Sequence, residues 1–203
     1  MSRAGRRAGR ATAAALVLAL AIAGCSSDSD DSDDPGDPGD TGDTRSSTPA
    51  AADHRVESQV SFGTITGRLS PEVRKRLARQ VGGVVDGWTE AAYLGGDYPR
   101  RDFSDAWPGF TAGAKQEAHG DRRLMSNEDI GDRIDGVTPN RSRIRLDVLA
   151  VRKRAVGVTA HVSLGFGTTG HVKREVRVRG RLFLTHTDRG WKVFGYDMTK
   201  GAV

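Results

Sequence analysis

Ser142-Arg143-Ile144-Arg145-Leu146-Asp147-Val148 alternates polar and apolar side chains with a period of two. Successive side chains of a strand point to opposite faces, so this stretch reads as a strand with one buried and one solvated face. The same period continues downstream. Val156, Val158, Ala160, Val162 and Leu164 face one way, and Gly157, Thr159, His161 and Ser163 the other. Val172, Val176, Val178, Leu182 and Leu184 make a third run against Lys173, Glu175, Arg177, Arg179 and Arg181. Arg152-Lys153-Arg154 and Asp188-Arg189-Gly190 read as tight turns, and Trp191 to Met198 as a last strand.

Upstream the period changes to that of a helix. Ser70 is an N-cap, Pro71 takes the first helical position and Glu72 favours the positive end of the helix dipole. Val73, Leu77, Val81, Val84, Val85 and Trp88 recur at steps of three and four, which makes one apolar stripe, and Gly95-Gly96 ends it. Asp102 to Trp107 reads as a short helical turn before Pro108. A second helix is expected from Gly109 to His119, with Phe110, Ala114 and Ala118 inward. Asp121 to Arg141 reads as a long polar connection anchored by Met125, Ile130, Ile134 and Val137. Val56 to Leu69 alternates loosely, like an edge strand. Helices first and a meander afterwards imply an α+β domain, with helices packed on a curved antiparallel sheet of about four strands.

That order, with the closing Gly190-Trp191-Lys192-Val193-Phe194-Gly195-Tyr196-Asp197, resembles the nuclear transport factor 2-like (cystatin-like) superfamily. Among its actinobacterial envelope members are proteins associated with mammalian cell entry transport systems. The resemblance covers about Leu69 to Ala202. It implies a cone whose mouth holds a small apolar ligand, on a fold that hosts isomerases and dehydratases as well as non-catalytic members.

The first residues carry Arg3, Arg6, Arg7 and Arg10, and an apolar run from Ala11 to Ala23 follows. A basic end and a short apolar core are the layout of a secretory signal, too short for a permanent span of about 20 residues. Ile22-Ala23-Gly24-Cys25 then resembles the bacterial lipoprotein box. The resemblance implies cleavage between Gly24 and Cys25, with the Cys25 thiol carrying the lipid and the mature protein held at the extracytoplasmic face of the cell membrane. Cys25 is the single cysteine, so an internal disulfide is excluded.

The chain therefore divides into a signal peptide (1–24), a lipidated Cys25 with an acidic tether (25–55) and an α+β domain (56–203). Ser26 to Arg55 holds nine aspartates against Arg45 and Arg55 and no large apolar residue, a composition that favours disorder. The formal charge of +5 thus joins an acidic tether to a basic domain.

No HExxH, GxSxG or CxxC occurs, and neither a metal nor a cofactor is expected. Gly165-Phe166-Gly167-Thr168-Thr169-Gly170 spells GxGxxG, but a strand follows where a dinucleotide site needs a helix, so it reads as a loop between antiparallel strands. The inward sheet face is Val, Ala and Leu almost throughout, with Arg174 its basic exception.

Trp88, Trp107, Phe110 and Trp191 are core candidates. Trp88, Tyr93, Trp107, Phe110 and Tyr196 are also candidate pocket lining. Asp97, Asp105, Tyr93 and the pair Tyr196-Asp197 are candidates for a polar pair at the cone mouth. Arg143, Arg145, Arg177, Arg179 and Arg181 should share one basic surface, within reach of anionic headgroups.

Two functions follow. The first is a lipid-anchored, non-catalytic module that binds an envelope protein, a second copy of itself or a small apolar ligand, as an accessory to a transport system. The alternative is a small tethered isomerase or dehydratase. The first is preferred, and no nucleic-acid partner is expected.

Overall fold

The computed structural model describes residues 58–203. The expected signal, the lipidation site at Cys25 and the acidic tether lie outside the described residues. Strand β1 (Gln59–Thr66) leads through Ser70 into α1 (Pro71–Thr89) and a π-helical turn (Glu90–Leu94). Two short helices follow, α2 (Ala112–Gly120) and α3 (Arg122–Met125), then a single 3₁₀ turn (Gly131–Arg133). Four long strands complete the chain: β2 (Ile134–Val151), β3 (Arg154–Gly170), β4 (Glu175–Thr187) and β5 (Gly190–Ala202).

The start of α1 is as the sequence implies. The Ser70 hydroxyl accepts a bond from the Val73 amide at 3.4 Å, and Pro71 opens the helix. Its stripe of Leu77, Val81, Val85 and Trp88 is buried. Gly82, costly in a helix, has a reason: a Cβ there would meet Val60 of β1 at 3.1 Å, so the glycine lets helix and strand approach. The π-helical turn closes with the Gly95 amide on the Glu90 carbonyl at 2.7 Å, and it carries Ala92 and Tyr93 into the core.

The five strands lie in the order β1-β2-β3-β4-β5. The fold is α+β, with a mixed sheet of five strands where about four antiparallel ones were expected. The fifth is β1, an edge strand within the stretch Val56 to Leu69 that reads as one, and it pairs parallel to β2, with Gln59 opposite Arg143 and Phe62 opposite Leu146. The other three pairings are antiparallel.

Strand β2 begins at Ile134, eight residues before the alternating stretch, so the last eight residues of the expected polar connection are strand, and α3 and the 3₁₀ turn take part of the rest. Gly136, Pro139 and Asn140 hide it. Pro139 is tolerated because β1 pairs only with Arg143–Leu149, so no partner strand lies beside Pro139 on that edge. Between Pro139 and Arg141 the register with β3 shifts. Two further expectations need correction. Asp102 to Trp107 is an irregular segment with one turn, not helical, and Gly165 to Gly170 is the end of β3 itself rather than a loop.

Every buried apolar residue of the core lies between Leu69 and Met198, and the half-buried Val60, Phe62 and Ile65 of β1 pack against it. Gly180 keeps β4 on this face. Its φ of +150° is glycine territory, and a Cβ would meet the Asp197 carbonyl oxygen at 2.1 Å. No helix among the described residues is long and apolar enough to cross a membrane.

Candidate functional site

The aromatic residues considered for a ligand pocket meet each other instead. Trp88 and Tyr93 stand edge to face at 5.5 Å, Trp88 meets Phe110 at 6.0 Å, and Tyr93 meets Phe166 of β3 at 6.0 Å. Trp88, Tyr93 and Phe166 are wholly buried, and Trp107, Phe110 and Trp191 nearly so. Their polar atoms are spent internally. The indoles of Trp88 and Trp107 both donate to the Met125 carbonyl, at 3.3 and 3.2 Å, and the Tyr93 hydroxyl donates to the Leu124 carbonyl at 2.6 Å. Burial pushes the Tyr93 phenol well above its ordinary range, with the Asp129 charge adding to it. The pocket-lining reading of Trp88, Tyr93, Trp107 and Phe110 is therefore corrected to core packing.

Tyr196 sits at the edge of that core and donates to Asp121 Oδ2 at 2.9 Å. Asp197, its neighbour, points to the other face and pairs with Arg181. Asp97 and Asp105 are exposed on separate segments. The acid–base pair considered for a cone mouth is not assembled. Arg174 is likewise no exception on the inward face. It stands between β3 and β4 with its guanidinium 3.7 Å from Asp129.

The other candidate features lie on the other side of the sheet. From Arg143 to Leu149 of β2, Gly157 to Gly165 of β3 and Arg177 to Phe183 of β4, odd-numbered positions turn away from the helices, and register aligns them in rows. Arg143 is opposite Ser163, and Ser163 is opposite Arg179. Arg145 is opposite His161, and His161 is opposite Arg181. Arg177 lies opposite Gly165, which has no side chain to cover it. All five arginines expected to share a surface do so, and four are exposed, with Arg177 half-buried.

Arg145 lies 3.6 Å from Asp147, and Arg181 pairs with Asp197. Arg143, Arg177 and Arg179 have no carboxylate partner among the described residues. Arg177 and Arg179, two apart on β4, stand about 7 Å apart, within the Debye length of about 8 Å at physiological salt, whereas Arg143 lies two strands away. The guanidiniums of Arg177 and Arg179 therefore repel one another, and a negative surface would relieve that repulsion.

Beside the arginines is a pair that the alternating pattern did not reveal. His161 Nε2 lies 2.7 Å from Asp147 Oδ2, a diagonal contact between β2 and β3. The Thr64 amide of β1 donates to Asp147 Oδ1 at 2.9 Å. That bond, with His161 and Arg145, holds the Asp147 carboxyl below its usual range.

Next to it the outer face becomes apolar. Leu149, Phe183 and Phe194 rim a dimple of about 340 Å³, over a floor that includes Gly157. A Cβ added at Gly157 would touch nothing within 4 Å, so the dimple is open to solvent. The rings of Phe183 and Phe194 lie 6.3 Å apart, and Phe194 is 55% exposed. The Arg181 guanidinium, 5.8 Å from the Phe183 ring, joins the basic and apolar halves.

Phe194 is outward because of a bulge. Phe183 pairs with Gly195 and Leu184 with Val193, so Phe194 is the extra residue of β5. Strict alternation from Trp191 puts Phe194 outward as well, but it also puts Tyr196 and Met198 outward, where the structure turns them in. Among the described residues no group of three or more His, Cys, Asp and Glu is placed to hold a metal ion. Compared with known proteins, the chain matches no family model, no curated protein and no solved structure.

Proposed function

We propose that this chain is a lipid-anchored, extracytoplasmic, non-catalytic module whose open sheet face docks on an anionic membrane surface, as an accessory to an envelope transport system. The observation that carries it is the pairing, on a sheet face that no described element covers, of three arginines without a carboxylate partner among the described residues with an exposed phenylalanine–leucine dimple. Arginines answer anionic headgroups, each contributing about 1 kcal/mol near the surface, and the dimple rim answers the interfacial acyl region. An anchor at Cys25 would keep this face within reach of the bilayer. Within the same proposal the fold is a cystatin-like, nuclear transport factor 2-like one, supported by a long helix preceding an antiparallel meander.

An isomerase or dehydratase is the weaker reading. The His161–Asp147 pair is its best dyad, but it sits half-exposed on an open face with nothing to exclude water.

The test is co-sedimentation of residues 56–203 with phosphatidylglycerol or phosphatidylcholine vesicles. Binding is expected to the anionic vesicles alone, to fall with salt, and to be lost in Arg177→Glu/Arg179→Glu. Equal binding to both vesicle types would return the arginines to ordinary solvation. The anchor has its own check: an alkyne fatty acid should label the wild type in cells and not Cys25→Ser.

A further inference from the structure

A second basic feature lies on different elements. A cleft of about 730 Å³ is walled by Arg100 and Arg101 after the π-helical turn, Arg122 and Arg123 of α3, Arg133 of the 3₁₀ turn and Arg174 before β4. Three carboxylates share the wall, Glu128, Asp129 and Asp132, and each is already paired. Glu128 holds Arg122 at 2.8 Å, and Asp132 lies 3.8 Å from Arg133. Asp129 is shared between Arg174 at 3.7 Å and the buried Lys200 at 2.6 Å. Lys200 is fixed there by further bonds to the Arg123 and Ser126 carbonyls, at 3.0 and 2.7 Å.

Arg100, Arg101 and Arg123 are left without an ion pair among the described residues. Arg100 is held in place as well as unpaired. Its Nε donates to the Asp102 carbonyl at 2.7 Å, and Nη1 to those of Ala91 and Gly95 at 2.8 and 3.2 Å. Its guanidinium lies 4.2 Å from the centre of the Phe103 ring. None of these contacts uses Nη2, so its two N–H donors are held in place in advance and remain available.

Separate segments thus bring to one concave site three guanidiniums that have no ion pair among the described residues, at a cost in mutual repulsion that a bound anion would offset. The planar forks of Arg101 and Arg123 match phosphate oxygens bidentately, and Arg100 Nη2 can add single bonds. We propose that this cleft binds a multivalent oxyanion, a phosphate or diphosphate group, by Arg100, Arg101 and Arg123. It uses none of the outer-face arginines, so it stands or falls separately from membrane docking by that face.

The experiment is calorimetric titration of the full chain with inorganic pyrophosphate, beside sedimentation of the same chain with phosphatidate vesicles. Arg101→Glu/Arg123→Glu changes two exposed side chains and should leave the thermal midpoint in place. Saturable binding of one pyrophosphate is expected, weakened about tenfold or more by that double variant and unchanged by Arg177→Glu/Arg179→Glu.

The vesicle arm is run in the Arg177→Glu/Arg179→Glu background. Vesicle binding there that still needs Arg101 and Arg123 identifies a lipid headgroup as the source of the phosphate. Pyrophosphate binding without it identifies a solute. Absence of saturable binding in both arms, or equal weakening by both double variants, would overturn the proposal and leave only a diffuse positive field.

Discussion

The two faces of this sheet are built from the same strands and share almost no chemistry. Toward the helices stand Ile144, Leu146, Ala160, Leu164, Val178 and Leu182, all buried to 1% exposure or less. One residue along each strand, the outer face presents Arg143, Arg145, His161, Arg179 and Arg181, then the apolar rim of Leu149, Phe183 and Phe194. The inner face is closed by aromatic packing, whereas the outer face combines charge and exposed apolar area that the fold does not use. A face spent on stability and a face left free should respond to substitution in opposite ways.

The largest effect belongs to the inner face. Trp88→Ala removes a wholly buried ring with two aromatic neighbours and should cost roughly 3–5 kcal/mol in a denaturant melt of residues 56–203. A cost under about 1 kcal/mol would place the indole at a rim, where truncation is mild. Gly180→Ala should come next, at about 1–3 kcal/mol, because φ and the Asp197 carbonyl both oppose a side chain.

The closed interior also has a signature in alkali. Tyr93, Tyr98 and Tyr196 are the chain's three tyrosines, and burial raises all three phenols, with Asp121 assisting at Tyr196. The unfolded chain ionises them near pH 10. Above that pH the native state keeps protons that the unfolded state has lost, so this contribution to stability is full below pH 10 and falls as pH rises past it. Tyrosinate absorbance should appear together with unfolding. Ionisation of a folded domain at pH 10 would contradict the packing.

The smallest effects are on stability at the open side. Arg152 and Lys153 hold φ of 50° and 64° in the β2–β3 turn, a conformation that favours Asn-Gly. Arg152→Asn/Lys153→Gly should stabilise by about 0.5–1 kcal/mol. Arg177→Glu/Arg179→Glu should move stability by no more than about 0.5 kcal/mol while abolishing vesicle binding.

What was legible in the sequence follows the range of the physics. Period two in β2, β3 and β4 and the stripe and cap of α1 are local signals, and the structure keeps them. The five outer arginines were legible for the same reason, since alternation alone assigns them a face. The parallel pairing of β1 depends on a partner more than 80 residues away, and a loose alternation cannot announce it. The first turnless stretch of β2 is masked by Gly136 and Pro139, which are strand-breakers everywhere except on an unpaired edge. The dimple, the Asp147–His161 pair and the arginine cleft are assembled from separate strands and loops, so only register and tertiary packing bring them together.

The outer face can be probed most directly with a reporter at Phe194. The native tryptophans are all buried, so Phe194→Trp adds one exposed indole at the dimple rim without a competing surface signal. Its emission should shift to the blue and be quenched by brominated phosphatidylglycerol, and stay unchanged with brominated phosphatidylcholine. A domain that binds the anionic vesicles while this indole remains unquenched would contradict docking by the open sheet face.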